Sequence, residues 1–282
     1  MKQAVTVVVA TGSLERWPSL VRAVASARSQ TVMPAEVVVV VDHDEQLFRR
    51  VRRDLAGITV LRSAERPGLP GARNTGAFHA QTSLIAFLDD DSVADPGWLG
   101  RVIAPLSDRT TVGAGAQLTP EWETGRPRWL PSSSWWAAGP ENRGNPSGTV
   151  VRREEFRQAG GFAAGDDDFG SRLSGVSGGR FAYVGAGLIR HLAPARLTFA
   201  SYLRRCYAQG RGHQHPAVDR RTGSAARPGV VVTGRAVLRD LRAGQMLRAG
   251  GLLAGATALA LGAATRSLRA GRPAQRVLAP AR

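Results

Sequence analysis

A single cysteine, Cys206, and a single lysine, Lys2, stand in a chain of 282 residues. One cysteine excludes an internal disulfide framework and fits a reducing compartment. With lysine almost absent, the positive charge is carried by arginine, and the abundance of Ala, Gly and Arg reads as a coding bias. The formal net charge is +16, yet no aromatic–basic interleaving and no nucleic-acid reader motif accompanies it, so no nucleic-acid partner is expected. The charge is also uneven. From Arg196 onward sixteen arginines face only Asp219 and Asp240, which leaves +14 of the +16 in the last third. That segment is either a solvated Arg-rich tail or a basic surface for anionic lipid or an acidic acceptor.

Long apolar runs are lacking too. The start, "MKQAVTVVVATGS", has one lysine and a β-branched run too short for the apolar region of a signal peptide. It predicts a first strand and a cytoplasmic chain. Between Arg248 and Arg266 lie 17 uncharged residues, at the short limit for a membrane span and diluted by Ala and Gly. Its flanking arginines fit a helix lying on a membrane surface or dipping into it. A C-terminal helix packed on the protein is the alternative.

What is present is a normal globular balance of 43% hydrophobic and 21% charged residues, enough for a real core. "AVTVVVA" (4–10) and "AEVVVVVD" (35–42) are continuous apolar runs, as in strands of a parallel sheet buried on both faces. "SLERWPSLVRAVASARSQ" places Leu20, Val21 and Val24 at helical spacing. "DEQLFRRVRRDLA" reads as a helix, "ITVLRS" as a strand, "PGARNTGAFHAQT" as the start of a helix and "LIAFLDDD" as a strand. This order predicts right-handed crossovers and a doubly wound α/β sheet, mostly parallel and flanked by helices. Ligands of such sheets sit beyond the carboxyl ends of the strands, where Asp42 and the triplet Asp89, Asp90 and Asp91 fall.

Downstream, residues 119–147 are rich in Pro, Gly and Ser, with Trp122, Trp129, Trp135 and Trp136. Clustered tryptophan argues against disorder, and Trp135 and Trp136 are acceptor-side candidates because aromatic faces stack on sugar rings; simple packing of the loop is the other reading. "GTVVRREEFRQAGGF" predicts a strand and a helix ended by Gly160–Gly161. "GDDDFG" carries a second triplet, Asp166, Asp167 and Asp168. "FAYVGAGLIRH" is strand-like, and "RLTFASYLRRCYAQGRG" (196–212) is an amphipathic helix. Residues 213–228 read as a linker, and 229–282 as a basic helical extension.

Adjacent carboxylates at a strand end need a cation, or one of them is driven toward protonation. Mg²⁺ or Mn²⁺ suits such oxygen ligands, often with phosphate oxygens completing the shell. Helix capping and solvation are the alternative use of either triplet.

Five segments then occur in order: "SLVRAVASARSQTVMPAEVVVVVD", "RPGLPGARNTGAF", "LIAFLDDDSVADPGWL", "VVRREEFRQAGGF" and "GDDDFGSRL". Together, from about Val5 to about Gly212, they resemble the family 2 glycosyltransferases, inverting enzymes of GT-A fold that use nucleotide-diphosphate sugars. The resemblance implies a GT-A-like domain over 1–212, with a nucleotide-sugar half (1–118) and an acceptor half (119–212). It implies that Asp42 accepts a hydrogen bond from the nucleotide base and that Arg73 sits near the base or diphosphate, with Asn74 supporting the turn. Asp89 and Asp90 would contact donor and ribose. Asp91 would ligate Mn²⁺ or Mg²⁺, with Asp89 and His191 as further metal ligands. Asp166 takes the place of the catalytic base, with Asp167 and Asp168 as alternatives; crowding within the triplet favours a raised pKa there. The implied partners are a nucleotide-diphosphate sugar and a glycan, lipid-linked or small-molecule acceptor, in envelope or polysaccharide synthesis. The basic C-terminus adds peripheral contact with the inner face of the plasma membrane. Two alternatives stand beside this reading. One is a catalytically degenerate membrane-associated binding protein of the same fold. The other is a sugar-phosphate nucleotidylyltransferase, for which "ATGSLERW" is a poor phosphate loop.

Overall fold

The computed structural model describes residues 4–122, 125–131, 147–163, 169–192, 198–211, 241–242 and 245–270. Four parallel strands come first: β1 (Val5–Thr11), β2 (Glu36–Val41), β3 (Thr59–Arg62) and β4 (Leu84–Asp89). β1 pairs with β2 and β4, and β2 with β3, all parallel. Every residue of β1 and β4 is buried, which is why these runs are continuous rather than alternating.

Between the strands run α1 (Trp17–Arg28), α2 (Glu45–Asp54) and α3 (Leu69–His79). α1 buries Leu20, Ala23, Val24 and Ala27, one stripe of a 3.6-residue period. α2 begins where the Asp44 carboxylate accepts from the Leu47 N–H at 2.9 Å. The two faces of the sheet carry separate cores. Val7, Val9, Val39, Leu20 and Trp98 lie in one, and Val8, Val38, Val40, Phe87 and Phe156 in the other. The β1 residues alternate between them, as the pleat requires.

The remaining strands extend the sheet to eight among the described residues, in the order β3-β2-β1-β4-β7-β6-β8-β5. β5 (Ser92–Ala94), α4 (Trp98–Ile103) and β6 (Thr111–Trp122) follow β4; β7 (Thr149–Arg152), α5 (Arg153–Gln158), α6 (Phe169–Ser177) and β8 (Arg180–Leu192) complete the unit. β7 is inserted between β4 and β6 and is antiparallel to both. β5 pairs antiparallel with β8. The parallel order read from the sequence therefore covers β1 to β4, and the later strands join in mixed sense. β5 carries no signal of its own at three residues, and only its partner strand makes it one.

The chain divides into two compact units, 1–121 with 140–192, and 122–139 with 193–282. The first holds the sheet. In the second, α7 (Phe199–Arg211) packs along α8 (Met246–Ala270). A Cβ at Gly251 would strike the Trp129 carbonyl, and one at Gly255 the Tyr202 hydroxyl. The two glycines therefore permit this close approach. Buried Tyr202 donates its hydroxyl to the Gly251 carbonyl at 3.1 Å, and Trp129 stacks edge-on against Phe199 at 5.2 Å. Among the described residues no helix is long and apolar enough to cross a membrane.

Candidate active site at the carboxyl edge of the sheet

Register alone gathers the acidic residues. Ala10 pairs with Asp89 and Thr11 with Val41, so Gly12, Asp42 and the Asp89–Asp91 turn emerge side by side. The Asp42 N–H donates to the Thr11 carbonyl at 2.8 Å. Its Oδ2 accepts the Gly68 N–H at 2.8 Å, and its Oδ1 faces His43 Nδ1 at 2.8 Å. Gly68 has φ +122°, a conformation reserved for glycine. Asp42 thus anchors the loop that leads into α3.

α3 then delivers an arginine into the edge. A Cβ at Gly76 would stand 2.5 Å from Val8 Cγ1 and 3.0 Å from Val40 Cγ2. Glycine there lets the helix settle directly onto β1 and β2. One turn earlier, Arg73 donates Nη2 to Asp89 Oδ1 at 2.5 Å, with both side chains 9% exposed. Asp90 is met from the other side, by Arg16 Nη1 at 2.9 Å. Its side chain is 2% exposed, and its Oδ2 is buried with no hydrogen-bond partner among the described residues. Burial pushes the Asp90 carboxyl up to about 6, against the pull of Arg16 and the Thr11 hydroxyl and with a further push from Asp91 and Asp89. Asp91 is buried beside them. Three carboxylates thus crowd one turn, two of them met by guanidinium groups.

Arg16 and Ser147 are the residues that sequence reasoning missed. The Ser147 hydroxyl accepts the Asp89 N–H at 3.0 Å and lies 3.4 Å from the Ser92 hydroxyl. Arg16 had a usable signal. A basic residue just past β1 must lie near the end of whichever strand pairs with β1. Ser147 had none, being 58 positions from Asp89 in a Pro- and Gly-rich loop.

Asn74 faces a different element. Its Nδ2 donates to the Phe162 carbonyl at 2.9 Å and its Oδ1 accepts the Phe162 N–H at 2.8 Å. Arg172 on α6 donates to the carbonyls of Ala159, at 2.6 Å, and Gly161, at 2.5 Å. Gly161 has φ +73°, and a Cβ there would stand 2.6 Å from Asn74 Oδ1. This turn leads toward the second acidic triplet, and Phe162 and Phe169 on either side of it stack at 4.3 Å. Gly161→Ala should cost about 1–3 kcal/mol through strain and the broken clamp. Urea unfolding of Gly161→Ala, Asn74→Ala and the double variant should show strong non-additivity; additive effects would separate the two residues.

Asp166, Asp167, Asp168, Trp135 and Trp136 lie outside the described residues. So does the side chain of His191, although its backbone lies in β8, one residue before its end. Ser92 pairs with Arg190, so continuing that register sets position 191 opposite position 91. Among the described residues no three acidic, histidine or cysteine side chains are arranged around one metal position; Asp89 and Asp90 are turned to their arginines instead.

A mixed α/β sheet with an acidic turn after its fourth strand and arginines drawn into that edge is the GT-A architecture. The model of glycosyl transferase family 2 matches residues 7–163, and the chain belongs to that family. A glucosyl-dolichyl phosphate glucuronosyltransferase of Haloferax volcanii is 32% identical over 173 residues, covering 56% of this chain and 55% of that protein. The human polypeptide N-acetylgalactosaminyltransferase 6 is 31% identical over 116 residues, 39% of this chain and 19% of its own. The chain thus spans about half, or less, of these curated relatives. In structure it resembles the mannosyltransferase PcManGT of Pyrobaculum calidifontis, solved with GDP-Man and Mn²⁺, at a TM-score of 0.59 and 21% identity, covering 96% of this chain and 89% of that one. At that identity the likeness is one of fold.

Proposed function

We propose that the chain is an inverting glycosyltransferase that moves a sugar from a nucleotide-diphosphate sugar to an acceptor hydroxyl. The observation that carries this reading is the convergence of Asp42, Asp89, Asp90 and Asp91 on one sheet edge, with Arg73 and Arg16 as counter-ions. Asp42 retains lone pairs beyond those used by Gly68 and His43, and these suit a base N–H. Asp90, held by Arg16, and Asp89, held by Arg73, present a fixed rim to the donor's ribose.

The donor set also fits a divalent cation. It offers hard oxygen ligands on adjacent residues, among them Asp90 Oδ2, buried with no hydrogen-bond partner among the described residues. Asp91 and His191 would hold Mn²⁺ or Mg²⁺, with Asp89 close by. When bound, the ion would offset the charge on the departing diphosphate, so the leaving group needs no separate acid. Asp166 takes the proton of the acceptor hydroxyl as that oxygen attacks the anomeric carbon from the face opposite the diphosphate. A new C–O bond forms, the bond to the diphosphate oxygen breaks and the configuration inverts.

Asp166→Asn should leave donor binding intact by calorimetry while transfer falls about 10²–10⁴-fold. Full activity in that variant would move the base to Asp167 or Asp168. The name of the Haloferax relative specifies a dolichyl phosphate-linked sugar, which supports a lipid-linked acceptor here, with Trp135 and Trp136 on the acceptor side. A basic C-terminus that meets the membrane peripherally suits the same acceptor class. Thermal stabilisation by a panel of nucleotide sugars, with Mn²⁺ and with chelator, identifies the donor; no response to any of them would remove the reading.

A further inference from the structure

The C-terminal helix has two unlike sides. Its inner side, with Ala249, Gly251, Leu252 and Gly255, is buried. Its outer side is solvent-facing yet mostly apolar; its exposed Thr257 turns its hydroxyl to the Leu253 carbonyl. Met246 is 69% exposed, Leu247 63%, Leu253 54% and Leu261 57%, and Ala260 and Ala264 are exposed between and beyond them. From Met246 to Ala264 this outer arc contains no charged residue. A helix of 25 residues is about 38 Å long, so the stripe is extended rather than local. An uncovered apolar surface of this kind marks a contact site.

Charge selects the occupant. From Leu241 to the last residue the sequence holds seven arginines and no Asp or Glu. Arg242 is exposed just before the helix, and α7, the helix on which α8 packs, exposes Arg204 and Arg205. An exposed apolar strip in a segment that carries arginine and no acid matches an anionic bilayer surface, with the acyl boundary below and phosphates above. Among the described residues no helix is long and apolar enough to cross a membrane, and a one-sided apolar stripe suits a helix lying in the plane of the interface.

We propose that α8 is an interfacial anchor, its Met246–Ala264 arc embedded in the surface of an anionic membrane and the neighbouring arginines held by lipid phosphates. Many of the outer residues are Ala or Gly, so insertion is shallow and the arginines are needed as well. Binding is therefore reversible and sensitive to salt. The anchor is independent of the transferase reading, and either can fail without the other.

The test is co-sedimentation of the full chain with phosphatidylcholine vesicles, with and without phosphatidylglycerol. The chain should pellet with the anionic vesicles and remain in solution with the neutral ones. Leu253→Glu with Leu261→Glu should lower the bound fraction about tenfold or more at unchanged helicity. Ala260→Leu should strengthen binding roughly tenfold at unchanged helicity and melting temperature, which separates the gain from misfolding. Three results would overturn the anchor: a wild-type chain indifferent to anionic vesicles, a double-glutamate variant that binds as well as wild type, or an outer stripe that holds a dimer dissolved by those substitutions with no lipid binding. Calorimetry with a nucleotide sugar on the same variants reports on the donor site separately.

Discussion

Asp91→Asn should keep its fold and lose metal-dependent binding of a nucleotide sugar, with transfer reduced about 10²–10³-fold or more. The substitution preserves shape and removes one negative charge from the turn. Asp89 faces Arg73 and Asp90 faces Arg16, and Asp91 is the carboxylate proposed for the ion, so its loss takes a charged oxygen ligand from the cation site. Because the change is isosteric, the melting temperature in chelator should stay close to that of the wild type. The informative measurement is calorimetry of the nucleotide sugar with Mn²⁺ and with chelator. Wild type should bind much more tightly with the ion, and Asp91→Asn should show no difference between the two. Preserved Mn²⁺ dependence in the variant would remove Asp91 from the metal.

Arg73→Met should destabilise the sheet unit by about 3–5 kcal/mol, the usual consequence of stranding one buried partner of an ion pair. Arg73 and Asp89 are joined at 2.5 Å with both side chains 9% exposed, so neither charge has water to fall back on. That loss is a large part of a typical domain stability of ~5–15 kcal/mol. Asp89→Asn alone should also destabilise, since it leaves the guanidinium buried. Combining the two should recover a substantial part, and urea unfolding of all four chains measures the coupling. If Arg73→Met unfolds like the wild type but binds donor poorly, the arginine serves the ligand and not Asp89. The resemblance to the family places Arg73 near the base or diphosphate; the geometry makes it the counter-ion of Asp89, and this cycle separates the two roles.

The buried strands and their crossovers were legible in the residues because their signals are local. A continuous run such as Val5–Thr11 has no polar face, so it needs cover on both sides, and only a central parallel strand receives it. The helical spacing of Leu20, Val21 and Val24 is equally local, although the buried stripe takes Ala23 and Ala27 with Leu20 and Val24 and leaves Val21 half-buried; the stop at Gly160–Gly161, both of which have positive φ, is local too. Strand order places Asp42 and Asp89 together, since both strands run parallel to β1. The sequence by itself therefore determined the α/β half-sheet, its carboxyl edge and the acids that gather there.

What it left open are pairings between residues far apart in the chain. That Asp89 belongs to Arg73 depends on Gly76 letting α3 touch Val8 and Val40. That Asp90 belongs to Arg16 depends on which strand lies beside β1. Asn74 reaches across 88 positions to Phe162, and β7 enters between β4 and β6, antiparallel to both. The outer stripe of α8 follows the same rule: Leu252 and Leu253 are adjacent identical residues, one buried and one exposed. Only the tertiary structure decides between them, because burial of a helix face is fixed by the partner it packs on, here α7, and not by the helix itself.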